Sequence, residues 1–318
     1  MSASVTAEQH RLLRSWLGPF MVVKDYSWPL QDTSVLHVST PDGGSFIVKA
    51  STTSHHIRRE IAALAPGLPG LRGSAPVLRQ ASVKAGILVT EFLPGTSVEG
   101  TAAEYQPGTY RQAGALLAKL HRPAGTSADY AKKLAYHTQL LIRSAEGLVA
   151  ADVCARAEQE LAGLKPGPVE LVTSHGDYQP RNWLVDGGRI KVIDFGRADA
   201  RPWVHDLVRL THQQFLGRPA LAEAFYSGLG KQPGSSDAGL WQLENLNQAL
   251  GTVVWAHKIG DAAFEQSGVE RLERILAGQD LLRGWSHGIQ PAAADPAHLC
   301  PTRCTGTAPG QGHRPTLA

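Results

Sequence analysis

The residues best suited to chemistry are two aspartates and an asparagine, Asp177, Asn182 and Asp194, in the segments SHGDYQPRN and VIDFG. Phosphoryl transfer needs a carboxylate that orients or deprotonates the acceptor hydroxyl, together with metal ions that bridge the phosphates. An Asp and an Asn on one tight loop can face the same cavity, and the Asp-Gly-Gly turn at 186–188 predicts a hairpin that returns Asp194 to them. Mg²⁺ takes few protein oxygens besides water and phosphate. The spacing therefore favours Mg²⁺-dependent phosphoryl transfer.

Taken together, these two motifs resemble the catalytic loop and the metal-binding aspartate of the aminoglycoside phosphotransferase family. Those antibiotic kinases share the protein-kinase-like fold with choline kinases. The resemblance implies that Asp177 is the catalytic base, that Asn182 and Asp194 bind Mg²⁺, and that His175 has a structural role at the start of the loop. It also implies ATP or GTP as the phosphoryl donor.

A lysine and a glutamate in the N-terminal part extend the resemblance. Lys49 ends the predicted strand Phe46–Lys49, where a kinase places the lysine that holds the α- and β-phosphates. Glu60 follows in a helix that is predicted to begin near His55, and it is placed to pair with Lys49. A lysine at a strand end is more often a solvated surface charge. The downstream loop favours the nucleotide-binding interpretation.

The segment ILVTEFLPG at residues 87–95 lies between the strand-rich and helix-rich parts of the chain. In the family that it resembles, this segment contacts the adenine ring. The resemblance assigns Glu91, Phe92 and Leu93 to nucleotide binding, with the Glu91 C=O and the Leu93 N–H as the contacts. A buried strand that ends in a Pro-Gly turn fits the same letters equally well. Its position between the two parts favours the nucleotide-binding interpretation.

The turn that would cover the phosphates departs from the kinase pattern. No G-x-G-x-x-G precedes Lys49, and residues 27–34 contain no glycine. Three residues of this turn are therefore predicted to donate backbone or hydroxyl hydrogen bonds to phosphate in place of a glycine-rich loop: Asp32, Thr33 and Ser34.

The hydrophobic pattern predicts an α+β chain with a strand-rich and a helix-rich part, and the resemblance implies that they form a two-lobed, protein-kinase-like fold. Alternating strands joined by the Pro-Asp-Gly-Gly turn at 41–44 predict a small N-terminal β-sheet lobe over residues 1–93, with five strands and one helix. Helical spacing then dominates residues 94–290, which are predicted to form the larger, mainly helical catalytic and substrate-binding lobe. Residues 291–318 are rich in Pro, Gly and Thr and are predicted to be a disordered tail.

Composition excludes several classes of protein. With 42% apolar residues and a net charge of +3 over 318 residues, the chain is too apolar to be largely disordered. It has no apolar run long enough to cross a membrane and no signal-peptide pattern, which predicts a cytoplasmic protein. The basic residues form no runs, which argues against nucleic acid as a partner. Cys300 and Cys304 lack the second ligand pair of a zinc site.

The acceptor is predicted to be a small molecule. The stretch between Gly196 and Asp206 is too short for the activation segment of a protein kinase, and no A-P-E follows it. Residues 200–290 contain nine carboxylates and eight Lys or Arg. This range therefore lacks the excess of acidic residues that a polycationic substrate would call for. Four residues are candidate substrate contacts, although each could equally be a packing or surface residue: Glu244, Trp255, His257 and Asp261.

The sequence is thus interpreted as a small-molecule O-phosphotransferase that moves the γ-phosphoryl group of ATP or GTP to a hydroxyl of an antibiotic and so gives resistance by inactivation. One alternative is a metabolic kinase of the same fold acting on an amino alcohol or a sugar. A second is a catalytically inactive nucleotide-binding module. The presence of Lys49, Asp177, Asn182 and Asp194 together argues against the second alternative.

Overall fold

The N-terminal part is a five-stranded antiparallel sheet with one helix against each face. The computed structural model describes residues 5–28, 32–53, 55–165 and 167–279. The strands follow the order β1-β2-β3-β5-β4 in the sheet. Their bounds are β1 Met21–Asp25, β2 Ser34–Ser39, β3 Ser45–Ala50, β4 Leu78–Ser82 and β5 Ile87–Glu91. The helices are α1 Ala7–Leu17 and α2 His55–Leu64.

Strand alternation places Lys49 on the face that α2 covers. Val48 and Val89, buried on the opposite face, pack in one cluster with Leu13 of α1. Lys49 and Leu88 are register partners in the antiparallel β3–β5 pair, so their side chains share a face. Leu88 packs with Ile57 of α2 on that face. The period of two along β3 therefore directs the lysine toward α2 and away from α1.

The C-terminal part is mainly helical and carries two small antiparallel sheets. Its helices are α3 Pro107–Leu120, α4 Tyr130–Ser144, α5 Ala151–Gly163, α6 Val208–His212, α7 Pro219–Leu229, α8 Ala238–Ile259 and α9 Ala262–Leu276. Its strands are β6 Thr96–Ser97, β7 Pro123–Ser127, β8 Val169–Ser174, β9 Trp183–Asp186, β10 Arg189–Val192 and β11 Asp199–Arg201. The sheets have the orders β10-β9-β6 and β11-β8-β7.

The mixed architecture agrees with the predicted fold class, and the hairpin around the Asp-Gly-Gly turn forms as β9 and β10. Strands β7 and β11 were not predicted, because both are short and β7 is largely exposed. Both pair with β8, which leads into the SHGD segment. The paired β8 therefore fixes where that segment begins.

The predicted boundary between the two lobes, at residues 93 and 94, stays a prediction. So does the predicted disorder of residues 291–318. That tail, with Cys300 and Cys304, lies outside the described residues. Among the helices that the structure describes, none is both long and apolar enough to span a lipid bilayer.

Candidate active site

A buried aspartate holds the start of the catalytic loop in place. Asp206 accepts hydrogen bonds from Ser174 Oγ at 3.0 Å, from the backbone N–H of His175 at 3.0 Å and from that of Gly176 at 2.7 Å. His121 Nε2 donates a fourth at 2.9 Å. Burial acts to raise the pKa of Asp206, but the hydrogen bond and charge of His121 outweigh it and hold that pKa well below its usual range. These contacts give Asp206 a structural role at the start of the loop.

Glycine is required at position 176. Its φ of 80° lies in the left-handed region, and a Cβ there would come 2.1 Å from the Arg197 carbonyl oxygen. The preceding His175 is fully buried and bridges two segments. Its Nε2 donates to the Ile193 carbonyl oxygen at 3.0 Å, and its Nδ1 accepts from the Asp177 N–H at 3.3 Å. The imidazole thus ties the catalytic loop to the segment that carries Asp194.

The Asp177 carboxylate, 3% exposed, is surrounded by donors. Oδ1 accepts from Gln179 Nε2 at 2.5 Å and lies 3.4 Å from Arg209 Nε. Oδ2 accepts from Arg181 Nη2 at 2.5 Å and from Asn182 Nδ2 at 3.2 Å. Burial acts to raise the pKa of Asp177, but the charges of Arg209 and Arg181 outweigh it and hold that pKa well below the usual range. Asp177 is therefore ionised at neutral pH.

An incoming hydroxyl must compete for this carboxylate. A carboxylate has about four lone-pair positions, and four donors already approach it. The Arg181 side chain is 39% exposed, whereas the Arg209 side chain is 19% exposed. Arg181 is thus the arginine that can leave Asp177 with the smaller rearrangement, and it belongs to the loop itself.

Asn182 and Asp194 meet at the open end of the hairpin. The Ile193 N–H donates to the Asn182 carbonyl oxygen at 2.9 Å, which sets Asp194 next to Asn182 across the two strands. Asn182 Nδ2 is used in bonds to Asp177, and Asp194 Oδ1 faces Lys49. Among the described contacts, none uses the Asn182 amide oxygen or Asp194 Oδ2, and hard oxygens of this kind fit Mg²⁺.

Within the described ranges, no group of three or more His, Cys, Asp or Glu is placed to hold a metal ion. One amide and one carboxylate are instead the kind of protein set that Mg²⁺ uses when phosphates and water complete its shell.

Asp194 has an unusual backbone conformation. Its φ of 65° is the only positive value among the non-glycine residues that the structure describes. Phe195, fully buried, then packs its ring 4.8 Å from the His175 ring. The Gly196 carbonyl oxygen accepts from His56 Nδ1 at 2.8 Å, which docks this turn on α2. Strained residues of this kind cluster at functional sites, where packing on both sides holds them.

Lys49 connects the two parts of the chain. Its Nζ donates to both oxygens of Glu60 at 2.9 Å and to Asp194 Oδ1 at 2.9 Å. Burial acts to lower the pKa of Lys49, but the carboxylates of Asp194 and Glu60 outweigh it and raise that pKa above its usual value. The lysine is therefore charged and aimed at Asp194, with the buried Glu60 behind it.

The segment predicted to contact adenine runs along the edge of the sheet. The Glu91 side chain pairs with Arg79, so only its backbone is placed to meet a base. The Leu93 N–H has no hydrogen-bond partner among the described residues. The Phe92 ring stacks on the His37 ring at 4.1 Å between centroids. The structure thus adds an aromatic partner, His37, that the sequence pattern did not indicate.

The turn predicted to meet the phosphates is described only in part, since residues 29–31 lie outside the described ranges. Ser34 is 2% exposed and begins β2. Asp32 accepts a hydrogen bond from Thr53, just before α2. Phosphate binding by Ser34 stays a prediction.

The four predicted substrate contacts do not converge. Glu244 is fully buried, and its oxygens accept from Tyr130 Oη at 2.6 Å and pair with His205 Nδ1 at 2.8 Å. Trp255 lies about 16 Å further along the same helix, at 1.5 Å per residue. There it packs edge-on against Phe264. The two remaining candidates, which are exposed, make local contacts near the end of α8 and the start of α9: His257 with Glu265, and Asp261 as the cap of α9.

The sequence pattern missed the cations around Asp177. Arg181 stands one residue before Asn182, so the loop itself carried a signal for it. Arg209 follows Asp206 by three residues on the next helix and had no such signal. Arg197 adds a third positive charge that lowers the pKa of Asp177. The Asp177 carboxylate is therefore set among arginines.

Comparison with solved structures establishes the fold. Macrolide 2′-phosphotransferase MphH from Brachybacterium faecium is 19% identical, with a TM-score of 0.56 over 83% of this chain and 97% of that chain. A thermostable mutant of aminoglycoside phosphotransferase APH(4)-Ia is 14% identical, with a TM-score of 0.61 over 85% and 98%. Spectinomycin phosphotransferase APH(9)-Ia, in complex with ADP and spectinomycin, is 14% identical, with a TM-score of 0.58 over 85% and 93%. No curated protein matches the chain.

The match to a family model is more specific than the likeness in fold. The model described as the phosphotransferase enzyme family (APH) matches residues 30–241, which is more than half of the chain. The matched range includes Lys49, Glu60, Asp177, Asn182 and Asp194. The resemblance indicated by the motifs is confirmed, and the chain belongs to the APH phosphotransferase enzyme family.

Proposed function

We propose that this protein transfers the γ-phosphoryl group of ATP or GTP to a hydroxyl of a small molecule, with Mg²⁺, and that the acceptor is an antibiotic inactivated by the transfer. The observation that carries the proposal is the contact of Lys49 with Asp194 at 2.9 Å. It joins the N-terminal sheet to the segment that His175 ties to the loop of Asp177. Structures of similar fold support it, since one holds AMP-PNP with hygromycin B and another ADP with spectinomycin.

Each residue has a role in this proposal. Lys49, aimed by Glu60, binds the α- and β-phosphates. Asn182 and Asp194 hold Mg²⁺, which neutralises charge on the phosphates when bound. Asp177 accepts a hydrogen bond from the acceptor hydroxyl and orients its oxygen toward the γ-phosphorus. Because the transition state is loose, positioning and charge stabilisation matter more than early proton removal. A strongly acidic carboxyl is sufficient for that task.

Arg181 is placed to stabilise the transferring group. Burial acts to lower its pKa, but the charge and hydrogen bond of Asp177 outweigh this, and Asp194 raises the pKa further. The charges of both aspartates therefore act on the Arg181 guanidinium. It approaches Oδ2, the same oxygen of Asp177 that Asn182 approaches. When Arg181 releases the carboxylate to an acceptor, its charge is available to the equatorial oxygens of the phosphoryl group.

Replacement of Asp194 by Asn tests the metal role. We expect the Mg²⁺-dependent affinity for nucleotide to fall about tenfold to hundredfold, since a charged contact contributes about 1.5–3 kcal/mol. Isothermal titration with ATP and GTP, with and without Mg²⁺, measures it. Asp186→Asn, on the exposed turn of the same hairpin, is the matched control. Unchanged Mg²⁺ dependence in Asp194→Asn would remove Asp194 from the metal site.

An assay of nucleoside diphosphate release tests the proposed function as a whole. The enzyme is given Mg²⁺ and ATP or GTP with a panel of antibiotics, amino alcohols and sugars. Release stimulated by an antibiotic is the expected result. Stimulation by an amino alcohol or sugar alone would assign the enzyme to metabolism, and release that no acceptor stimulates would count against phosphoryl transfer to a small molecule.

A further inference from the structure

Helix α2 lies so close to the segment after Asp194 that little room is left for a side chain at position 196. A Cβ added at Gly196 would come 3.2 Å from the His56 Cβ and 3.4 Å from Asp194 Oδ1. Carbon atoms pack best at about 3.5–4.0 Å, so an added methyl group would push the helix and this segment apart. The glycine at 196 therefore allows α2 to contact the backbone next to Asp194.

Two hydrogen bonds join α2 to this backbone. The buried Glu60 carboxylate accepts from the Phe195 N–H, and His56 Nδ1 donates to the Gly196 carbonyl oxygen at 2.8 Å. His56 and Glu60 stand four residues apart, so they lie on one face of the helix. Because a carbonyl oxygen accepts and does not donate, His56 Nδ1 carries a proton in this contact. Helix α2 thus holds the backbone at the two residues that directly follow Asp194.

Asp194 lies between two anchored stretches of backbone. Before it, the Ile193 N–H donates to the Asn182 carbonyl oxygen at 2.9 Å, and the Ile193 carbonyl oxygen accepts from His175 Nε2 at 3.0 Å. After it come the two bonds to α2. The φ of Asp194 is 65°, a left-handed conformation that a non-glycine residue keeps only where its surroundings hold it. The bond from His56 is one of the contacts that hold it.

We propose that His56 is a positioning residue, which holds the Gly196 carbonyl oxygen and so fixes the conformation from which the Asp194 carboxylate binds Mg²⁺. The inference rests on the proposed function and adds α2 to the elements that build its metal site. Lys49 Nζ donates to Glu60 of the same helix and to Asp194 Oδ1, each at 2.9 Å. One face of α2 therefore orients the lysine assigned to the phosphates and the aspartate assigned to the metal.

Calorimetry with ADP and GDP, over a range of Mg²⁺ concentrations, tests the role of His56 without requiring turnover. His56→Leu removes the donor, whereas His56→Asn keeps an N–H donor near the position of Nδ1. We expect His56→Leu to weaken Mg²⁺-dependent binding by about three- to tenfold, the contribution of one hydrogen bond. Binding without Mg²⁺ should not change, a higher Mg²⁺ concentration should recover the lost affinity, and His56→Asn should bind as the wild type does. Failure of His56→Asn to recover binding would overturn the inference.

Arg59→Gln is the matched control on the same helix. Arg59 Nη2 lies 3.6 Å from Asp199 Oδ2, and both side chains are exposed. This pair also joins α2 to the C-terminal part, but it does not touch residues 194–196, and exposed ion pairs contribute little to stability. The variant should keep the wild-type dependence on Mg²⁺. An equal loss in Arg59→Gln and His56→Leu would mean that general docking of α2 matters, and would overturn the specific role of His56.

Gly196→Ala tests the same contact from the other side. The added methyl group should separate α2 from the segment and weaken Mg²⁺-dependent binding as His56→Leu does. Because both changes act on one contact, the double variant should lose less than the product of the two single losses. Losses that multiply in full would show that the two residues act independently, which contradicts the inference.

Hydrogen exchange in the nucleotide-free protein gives a readout that depends on neither Mg²⁺ nor activity. We expect the amides of residues 194–198 to exchange faster in His56→Leu and at the wild-type rate in His56→Asn, with helix α8 as the unchanged reference. A lower Tm with unchanged exchange at 194–198 would make His56 a residue of general stability and overturn its positioning role.

The outcomes for the wild type separate this inference from the proposed function. Mg²⁺-dependent binding that His56→Leu retains in full would overturn the inference and leave phosphoryl transfer standing. Nucleotide binding by the wild type that does not depend on Mg²⁺ would overturn the metal role of Asp194 in the proposed function, and the inference with it.

Discussion

We expect Asn in place of Asp177 to lower kcat by about 10²–10⁴-fold, the usual contribution of a positioned acid–base group. The Asn side chain has the same size as Asp and keeps some of the hydrogen bonds with Gln179, Arg181 and Asn182. The conformation of the loop should therefore be retained. What is lost is the full negative charge that aligns the acceptor hydroxyl. Nucleotide affinity should change little, because the proposal assigns the phosphates to Lys49 and Mg²⁺ to Asn182 and Asp194, and not to Asp177.

Single-turnover kinetics with an active acceptor and titration with Mg²⁺-nucleotide measure these two effects separately. Asp186→Asn on the hairpin turn is the control and should keep the wild-type kcat. Because the pKa of Asp177 is held below its usual range, the group stays ionised as pH falls toward the ordinary carboxyl value of about 3.9. The pH profile of kcat should therefore show no rise near neutral pH that comes from ionisation of Asp177. Normal turnover in Asp177→Asn would remove Asp177 from the mechanism.

Replacing Asp206 by Ala should destabilise the fold by about 3–5 kcal/mol, because it leaves buried donors without their acceptor. The orphaned groups are the Ser174 hydroxyl, the His175 and Gly176 N–H groups and His121 Nε2. These donors define the start of the catalytic loop, so activity should fall together with stability. Urea denaturation measures the free energy of unfolding, and Asp186→Asn serves again as an exposed control.

The pH dependence of stability gives a second signature of Asp206. Its pKa is lower in the folded protein than in the unfolded chain, so the unfolded chain binds more protons in the acidic range. The stabilisation by Asp206 is therefore complete above the ordinary carboxyl pKa of about 3.9 and is lost as pH falls below it. In Asp206→Ala the acid slope of unfolding free energy should be shallower. An unchanged slope would show that Asp206 is not ionised in the buried network.

The chemistry-bearing loop was predictable because its geometry is local. Asp177, Asn182 and Asp194 lie within one short stretch of chain, and the turn between β9 and β10 dictates that the strand ends meet. Lys49 and Glu60 were predictable for a similar reason, since strand alternation and helical spacing set the directions of both side chains. The structure also brings Lys49 and Asp194 into contact across 145 positions of sequence, a contact that the sequence analysis did not predict.

The acceptor side was not predictable, because it depends on packing between distant helices. Glu244 on α8 was a predicted substrate contact, but its side chain is buried and contacts Tyr130 and His205. Arg209 comes from α6, and no spacing in the sequence relates it to Asp177, which its Nε approaches to 3.4 Å. Helical periodicity marks which face is apolar, not which polar groups meet across an interface.

Identification of the product tests the central claim most directly. The full chain is incubated with Mg²⁺, ATP or GTP and the acceptor panel, and the product is characterised by phosphorus and proton NMR. The account predicts a phosphate ester on one hydroxyl of the acceptor, formed in equal amount to the nucleoside diphosphate and absent with Asp177→Asn. Nucleotide bound without any phosphate ester, or an ester formed equally well by Asp177→Asn, would contradict it.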